Sequence, residues 1–136
     1  MAVVLLGTDD AATADILAHT VAALGHTPLS LSGTENIVED VVLNGVPLVL
    51  LAPGLRPFSG WDACEILRSD PTVPKELSIV LLTDGRVNMR RVETCGFSGI
   101  LDPQSAAAEL SEAIIGHLGD RAAPDDLNPL AELELD

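Results

Sequence analysis

The chain has 136 residues, enough for one domain that folds around its own core without disulfides or metal ions. Its 21 acidic residues against seven Lys and Arg give a formal net charge of −14, which repels nucleic-acid phosphates and anionic lipid surfaces. We therefore expect neither nucleic acid nor a membrane as a partner, and three aromatic residues are too few to form a stacking platform for bases.

The first β-α unit begins with "AVVLLG" (residues 2–7), an apolar run typical of a buried strand. No basic residues precede this short run, so it fits neither a secretory signal nor a membrane span, and we expect a cytoplasmic protein. Residues 11–26 have helical spacing, with Asp9 or Asp10 as the N-cap and Gly25 as the stop. The residues predicted to face inward are Ile16, Leu17, Val21 and Leu24.

The second unit pairs a strand at residues 27–32, which alternates with period two, with a short helix. Thr34 is the predicted cap of this helix and Gly45 its end. The predicted inward residues are Ile37, Val38, Val41 and Val42.

The third unit has the strand "VPLVLLA" (residues 46–52), a loop rich in Pro and Gly, and the helix "GWDACEILRSDP". Trp61, Cys64, Ile66 and Leu67 are expected on its inner side. Cys64 and Cys95 have neither metal-binding nor redox-motif spacing, so we expect two reduced thiols that act as small core residues.

The fourth unit has the apolar strand "ELSIVLLT" (residues 76–83) and a short polar helix in residues 84–96, with only Val87, Met89 and Val92 to bury. "FSGIL" supplies a fifth strand that Asp102 and Pro103 end. A final amphipathic helix presents Leu110, Ile114, Ile115 and Leu118. Residues 119–136 are acidic and have no sustained period, so residues 1–118 form the predicted domain and 119–136 a flexible tail. The alternative is that the leucines of the tail dock on a basic groove of a partner.

Strands that alternate regularly with helices indicate an α/β fold with a doubly wound, five-stranded parallel sheet. The predicted strand order is 2-1-3-4-5 in a flavodoxin-like three-layer sandwich. In such sheets ligands bind at the carboxyl edge, where the first and third strands meet. This arrangement predicts that Asp9 and Ala52 lie beside each other there.

The sequence resembles the receiver domain of bacterial two-component response regulators over residues 2–118. The matching segments are "VVLLGTDDAATADIL", "VPLVLLAPGLRPFSGWDACEILRSDP", "SIVLLT" and "GFSGIL" followed by "DP". Receiver domains carry an acidic pair after the first strand for Mg²⁺, a nucleophilic aspartate after the third, Ser or Thr after the fourth, and Lys before a cis-proline after the fifth. The resemblance maps the degenerate phosphorylation pocket onto Thr8, Asp9, Asp10, Ala52, Thr83 and Asp102.

Ala52 stands at the position of the nucleophile, and a methyl group cannot hold an acyl phosphate. The resemblance therefore implies a pseudo-receiver that is not an enzyme and needs no cofactor or metal. Arg56 and Arg86, in the loops after the third and fourth strands, are the cations placed to offset the acids of this edge.

The favoured function is a phosphorylation-independent protein-interaction module. The contact face of the family, made by the fourth helix, fifth strand and fifth helix, maps onto Arg86, Arg90, Arg91, Ile100 and Leu101. An acidic protein partner, the chain's own tail or a homodimer fits this face.

Two alternatives remain open. One is a sensor that binds a cation or small ligand through Asp9, Asp10, Asp84 and Asp102. The other is a phosphotransfer enzyme with Asp9 or Asp10 as a substitute acceptor.

Overall fold

The computed structural model describes residues 2–31 and 33–118, and the predicted tail lies outside these ranges. The strands are β1 (Val3–Gly7), β2 (Thr27–Ser30), β3 (Leu48–Leu51), β4 (Ser78–Leu82) and β5 (Gly99–Leu101). The helices are α1 (Ala11–Ala23), α2 (Ile37–Asn44), α3 (Gly60–Ser69), α4 (Met89–Cys95) and α5 (Ala107–Leu118), and a short 3-10 helix (Thr34–Asn36) precedes α2. Within the described ranges, every helix is too short or too polar to cross a bilayer.

The sheet is parallel throughout, in the order β2-β1-β3-β4-β5, which confirms the predicted fold class and strand order. Successive strand residues face opposite layers, so Leu5 packs under α2 and α3 while Leu6 packs under α1 and α5. The central strand β3 is fully buried, as parallel strands covered on both faces must be. The two layers of helices leave the carboxyl edge of the sheet to the loops.

Some helical residues predicted to face inward are on the surface. Ile16, Val42 and Ile115 are 45%, 40% and 48% exposed, while Leu17, Val41 and Ile114 beside them are buried. Each pair consists of consecutive apolar residues about 100° apart on the helix, and only one of them reaches the sheet. Met89, which we also expected to be buried, is 46% exposed because it opens α4 at the surface.

The fourth helix is shorter than predicted because the chain first makes a turn. Asp84 accepts a hydrogen bond from the backbone N–H of Arg86 at 3.0 Å, and Gly85 has φ of 93°. The helix begins only after Asn88, whose side chain accepts from the N–H of Arg90 at 2.9 Å and caps it.

Arg68, at the end of α3, connects three separate segments. Its guanidinium donates from Nε to the carbonyl of Gly96 at 2.8 Å, from Nη1 to the carbonyl of Lys75 at 3.3 Å, and from Nη2 to Oγ of Ser98 at 3.2 Å. Ser98 Oγ in turn accepts from the N–H of Ile79 at 3.1 Å. One side chain therefore connects α3, the loop before β4 and the turn between α4 and β5.

Both cysteines are free and buried, as predicted. The Cys64 thiol donates to the Cys95 carbonyl at 3.3 Å, and the Cys95 thiol donates to Oε2 of Glu65 at 3.4 Å. Burial raises the pKa of Cys64 to about 12, and burial followed by the bond to Glu65 also raises the pKa of Cys95. These thiols have the environment of core residues, not of nucleophiles.

Candidate functional site

The carboxyl edge of the sheet brings together the residues that follow β1, β3, β4 and β5. Gly7 pairs with Leu51, and the N–H of Ala52 donates to the Gly7 carbonyl at 2.7 Å. Thr8 is therefore level with Ala52, and Asp9 lies one residue further along the loop. On the other side, the N–H of Thr83 donates to the carbonyl of Leu101 at 3.0 Å.

Ala52 lies in apolar and backbone surroundings. Its methyl group packs against the apolar cluster that α1 and α5 cover. Gly60, at the start of α3, lies so close that a Cβ there would collide with the Ala52 carbonyl. A Cβ at Gly7 would lie 3.2 Å from the side chain of Leu55, so an apolar residue of the β3–α3 loop covers the end of β1. The strand end thus presents no ionisable group.

Three acidic side chains at this edge form hydrogen bonds within their own loops. Asp10 accepts from Oγ1 of Thr13 at 2.6 Å and caps α1, which settles the predicted choice of cap. Asp84 bonds the Arg86 N–H and pairs with its Nε at 3.4 Å. Asp102 accepts from the N–H of Gln104 at 2.8 Å. Among the described residues, no three Asp, Glu, His or Cys side chains form a group that could hold a metal ion.

The two hydroxyl groups of the predicted pocket also close turns. Oγ1 of Thr8 accepts from the N–H of Asp10 at 3.2 Å, and Oγ1 of Thr83 accepts from the N–H of Gly85 at 3.3 Å. The peptide before Pro103 is trans, and the cis peptide of the described chain is Arg56–Pro57 in the β3–α3 loop. Both hydroxyl groups therefore take part in the local turns of this edge.

Thr34, before α2, forms hydrogen bonds with the β3–α3 loop, and no sequence pattern indicates this role. It is 1% exposed, and its hydroxyl accepts from the N–H of Phe58 at 2.7 Å and donates to the Phe58 carbonyl at 2.8 Å. Its own N–H donates to the carbonyl of Arg56 at 3.1 Å. Our prediction of Thr34 as a helix cap was wrong, because its side chain bonds a loop 24 residues away instead.

The predicted arginine cluster divides into two kinds of side chain. Arg86 and Arg90 are exposed, with the Arg86 side chain 90% accessible despite its pairing with Asp84. Arg91 is exposed too, but its guanidinium lies 4.1 Å from the ring centre of Trp61, which makes an edge contact with Phe97 at 5.6 Å. Arg91 thus joins α4 to α3, a pairing that the sequence did not reveal.

The apolar pair of the predicted contact face is mostly inaccessible. Leu101 is only 7% exposed and packs with the cluster under α1 and α5, so its prediction as a contact residue needs correction. It faces inward because alternate β5 residues face opposite layers. Ile100 is half-buried against the other cluster. Of the predicted set, the three arginines Arg86, Arg90 and Arg91 are therefore the exposed residues.

The sequence matches no family model and no curated protein. The structure, however, is similar to solved structures. The chemotaxis response regulator CheY4 of Vibrio cholerae is 16% identical with a TM-score of 0.77, over 87% of this chain and 99% of that one. The receiver domain of a Syntrophus aciditrophicus signal transduction histidine kinase is 18% identical with a TM-score of 0.74, over 96% and 99%.

A third structure, the receiver domain of a Pseudomonas aeruginosa sensor histidine kinase, is 16% identical with a TM-score of 0.74, over 86% of this chain and 97% of that one. That protein holds a magnesium ion coordinated in its active site cleft. At these identities the likeness concerns the fold, and the chain has the receiver fold over nearly all of its described residues.

Proposed function

We propose that this chain is a receiver-fold protein-interaction module of two-component signalling that works in the cytoplasm, without catalysis and without phosphorylation. The observation that carries the proposal is Ala52. It follows the central strand at the edge where α/β folds place their chemistry, and its methyl group packs into the apolar layer.

The electrostatics of the edge support the same conclusion. A phosphoryl group that approached Ala52 would meet the carboxylates after β1, β4 and β5, and a like charge 4 Å away costs about 4 kcal/mol at an effective dielectric constant of 20. Of the two arginines predicted to offset these acids, Arg86 already pairs with Asp84.

The proposed docking surface consists of Arg86, Met89 and Arg90, at the start of α4. Both arginine side chains are exposed, and Met89 adds an apolar contact between them because it is 46% exposed. Their charge favours an acidic partner, against a background net charge of −14. The exposed Arg91 follows them and also contacts Trp61, so it connects this surface to α3.

The absence of phosphorylation is tested by intact mass spectrometry after incubation with a small phosphodonor and Mg²⁺. We expect no added phosphoryl group on the wild type. A phosphorylated active receiver serves as the positive control, and the Ala52→Asp variant shows whether the edge accepts phosphate once a carboxylate is restored. A phosphoryl group on the wild type, mapped to Asp9 or Asp10, would overturn the proposal in favour of a phosphotransfer enzyme.

The docking surface is tested by affinity capture from the native cell with an Arg86→Glu/Arg90→Glu variant. The matched control is Arg56→Glu/Lys75→Glu, which makes the same change in charge on exposed residues elsewhere. We expect the first variant alone to lose a partner that wild type and control both retain, and a direct titration with that purified partner to weaken at least tenfold. Identical captures from all three proteins would refute this surface.

A further inference from the structure

An apolar groove lies at the opposite edge of the sheet, where the strands begin. It encloses about 340 Å³, within the range of about 300–1,000 Å³ typical of ligand pockets. Val42, predicted to be buried, is 40% exposed because it forms part of the groove wall. The apolar lining is Val41, Val42, Val46, Pro47, Pro74 and Leu77.

The described part of the chain ends beside this groove. The carbonyl of His117, one residue before the end of α5, accepts a hydrogen bond from Oγ of Ser78 at 3.1 Å. Ser78 follows Leu77 in the chain and donates its N–H to the Pro47 carbonyl at 3.2 Å. Leu77 and Pro47 both line the groove. The described chain therefore ends, at Leu118, at the same edge of the sheet as the groove.

The sequence after Leu118 contains one stretch suited to an apolar groove. Residues 127–131, "LNPLA", carry two leucines and no charge, whereas Asp125 and Asp126 precede them and Glu132 follows. Eight residues lie between Leu118 and Leu127, and the extended chain from one leucine to the other spans at most about 30 Å, more than twice the radius of gyration of about 13 Å expected for such a domain. The stretch can therefore reach the groove.

We propose that residues 127–131 occupy this groove of their own chain, with Leu127 and Leu130 against its apolar walls. The groove is mainly apolar and burial of an unpaired charge is costly, so the uncharged stretch is the part that enters, and the acidic residues on either side stay in water. A short tether gives an effective concentration of about millimolar, so that even a weak apolar contact is populated. The proposal does not depend on the α4 docking surface.

The test is amide hydrogen exchange by mass spectrometry on the purified full chain and a Leu127→Ser/Leu130→Ser variant. We expect residues 41–47 and 72–77 to exchange several-fold faster in the variant. The control, Leu133→Ser/Leu135→Ser, makes the same change within the acidic run and should leave that exchange as in the wild type. The proposal would be overturned if exchange in residues 41–47 and 72–77 stayed as in the wild type, or if both variants increased it equally. An increase in exchange confined to residues 86–91 would also overturn it.

A groove variant tests the same contact from the other side. Val42→Glu places a charge in the groove at a residue that is exposed, so folding should survive. We expect it to increase exchange in residues 72–77 and to add nothing to the Leu127→Ser/Leu130→Ser effect. Additive effects would show that the two sites are independent. Protection that disappears on dilution of the wild type would assign the groove to a second copy and overturn the contact within one chain.

Discussion

The contact between Thr34 and the β3–α3 loop predicts a specific loss of stability in a Thr34→Val variant. Valine has nearly the shape of threonine but lacks the hydroxyl, so the N–H and carbonyl of Phe58 both lose their partner. An unsatisfied buried polar group costs about 1–3 kcal/mol. Phe58 is 41% exposed and water reaches it in part, so we take the lower bound for each group and expect a loss of about 2 kcal/mol.

The assay is urea unfolding together with thermal melting. For a domain of this size, about 2 kcal/mol corresponds to a decrease in Tm of roughly 6–10 °C. Thr34→Ser keeps the hydroxyl and loses a methyl group, so its loss should be about 1 kcal/mol. Thr20→Val is the control, because Thr20 Oγ1 bonds only the Ile16 carbonyl of its own helix, and its stability should stay within about 0.5 kcal/mol of wild type. If the Thr34→Val variant were as stable as the control, the hydrogen bonds between Thr34 and Phe58 would not stabilise the fold.

Three further predictions concern other parts of the fold. The free energy of unfolding in urea should decrease by about 2 kcal/mol in an Arg68→Met variant, because three hydrogen bonds disappear. An Arg68→Lys variant should recover less than half of this loss. Equal stability of the Arg68→Met variant and the wild type would refute the prediction. Alkylation of Cys64 and Cys95 at pH 8 should be at least about 100-fold slower in the native protein than in urea, since burial raises both pKa values; rapid modification of the native protein would show that the thiols are accessible. Burial lowers the pKa of His26 and of His117, so the unfolded chain takes up protons first as pH falls below about 6.5, and stability should decrease between pH 7.5 and 5.5. In a His26→Gln/His117→Gln variant, Tm measured over the same pH range should change much less than in the wild type. The same dependence of Tm on pH in the variant and the wild type would contradict this prediction.

The strand order was predictable because each strand is a short apolar run between clear stops. "LVLL" and "IVLL" are buried on both faces, as only central parallel strands are, and the right-handed crossovers leave few arrangements. Periodicity was less decisive for helices. Ile16 and Leu17 are both apolar, and the sequence does not state which of the two meets the sheet, since that depends on the rotation of α1 about its axis.

The candidate site was predictable where it depends on one residue after a strand. Ala52 and Thr83 are at the expected edge because the register of parallel strands fixes where their ends meet. The contacts of Thr34 with Phe58 and of Arg91 with Trp61 join segments far apart in the chain, and no local pattern indicates them. Sequence reasoning thus found the backbone positions of the site and missed the side chains that hold its loops.

The hydrogen bond from Arg68 to the Gly96 carbonyl makes the two ends of α4 unequal in stability. This bond fastens the residue that follows the helix, while the residues before Arg91, which contacts Trp61, depend on the exposed cap of Asn88. Helix ends open at little cost unless something ties them down. We therefore expect α4 to open first between Asn88 and Arg90, which would free the exposed Arg90 side chain to move toward the charges of the partner that we propose, while the end of the helix keeps its position.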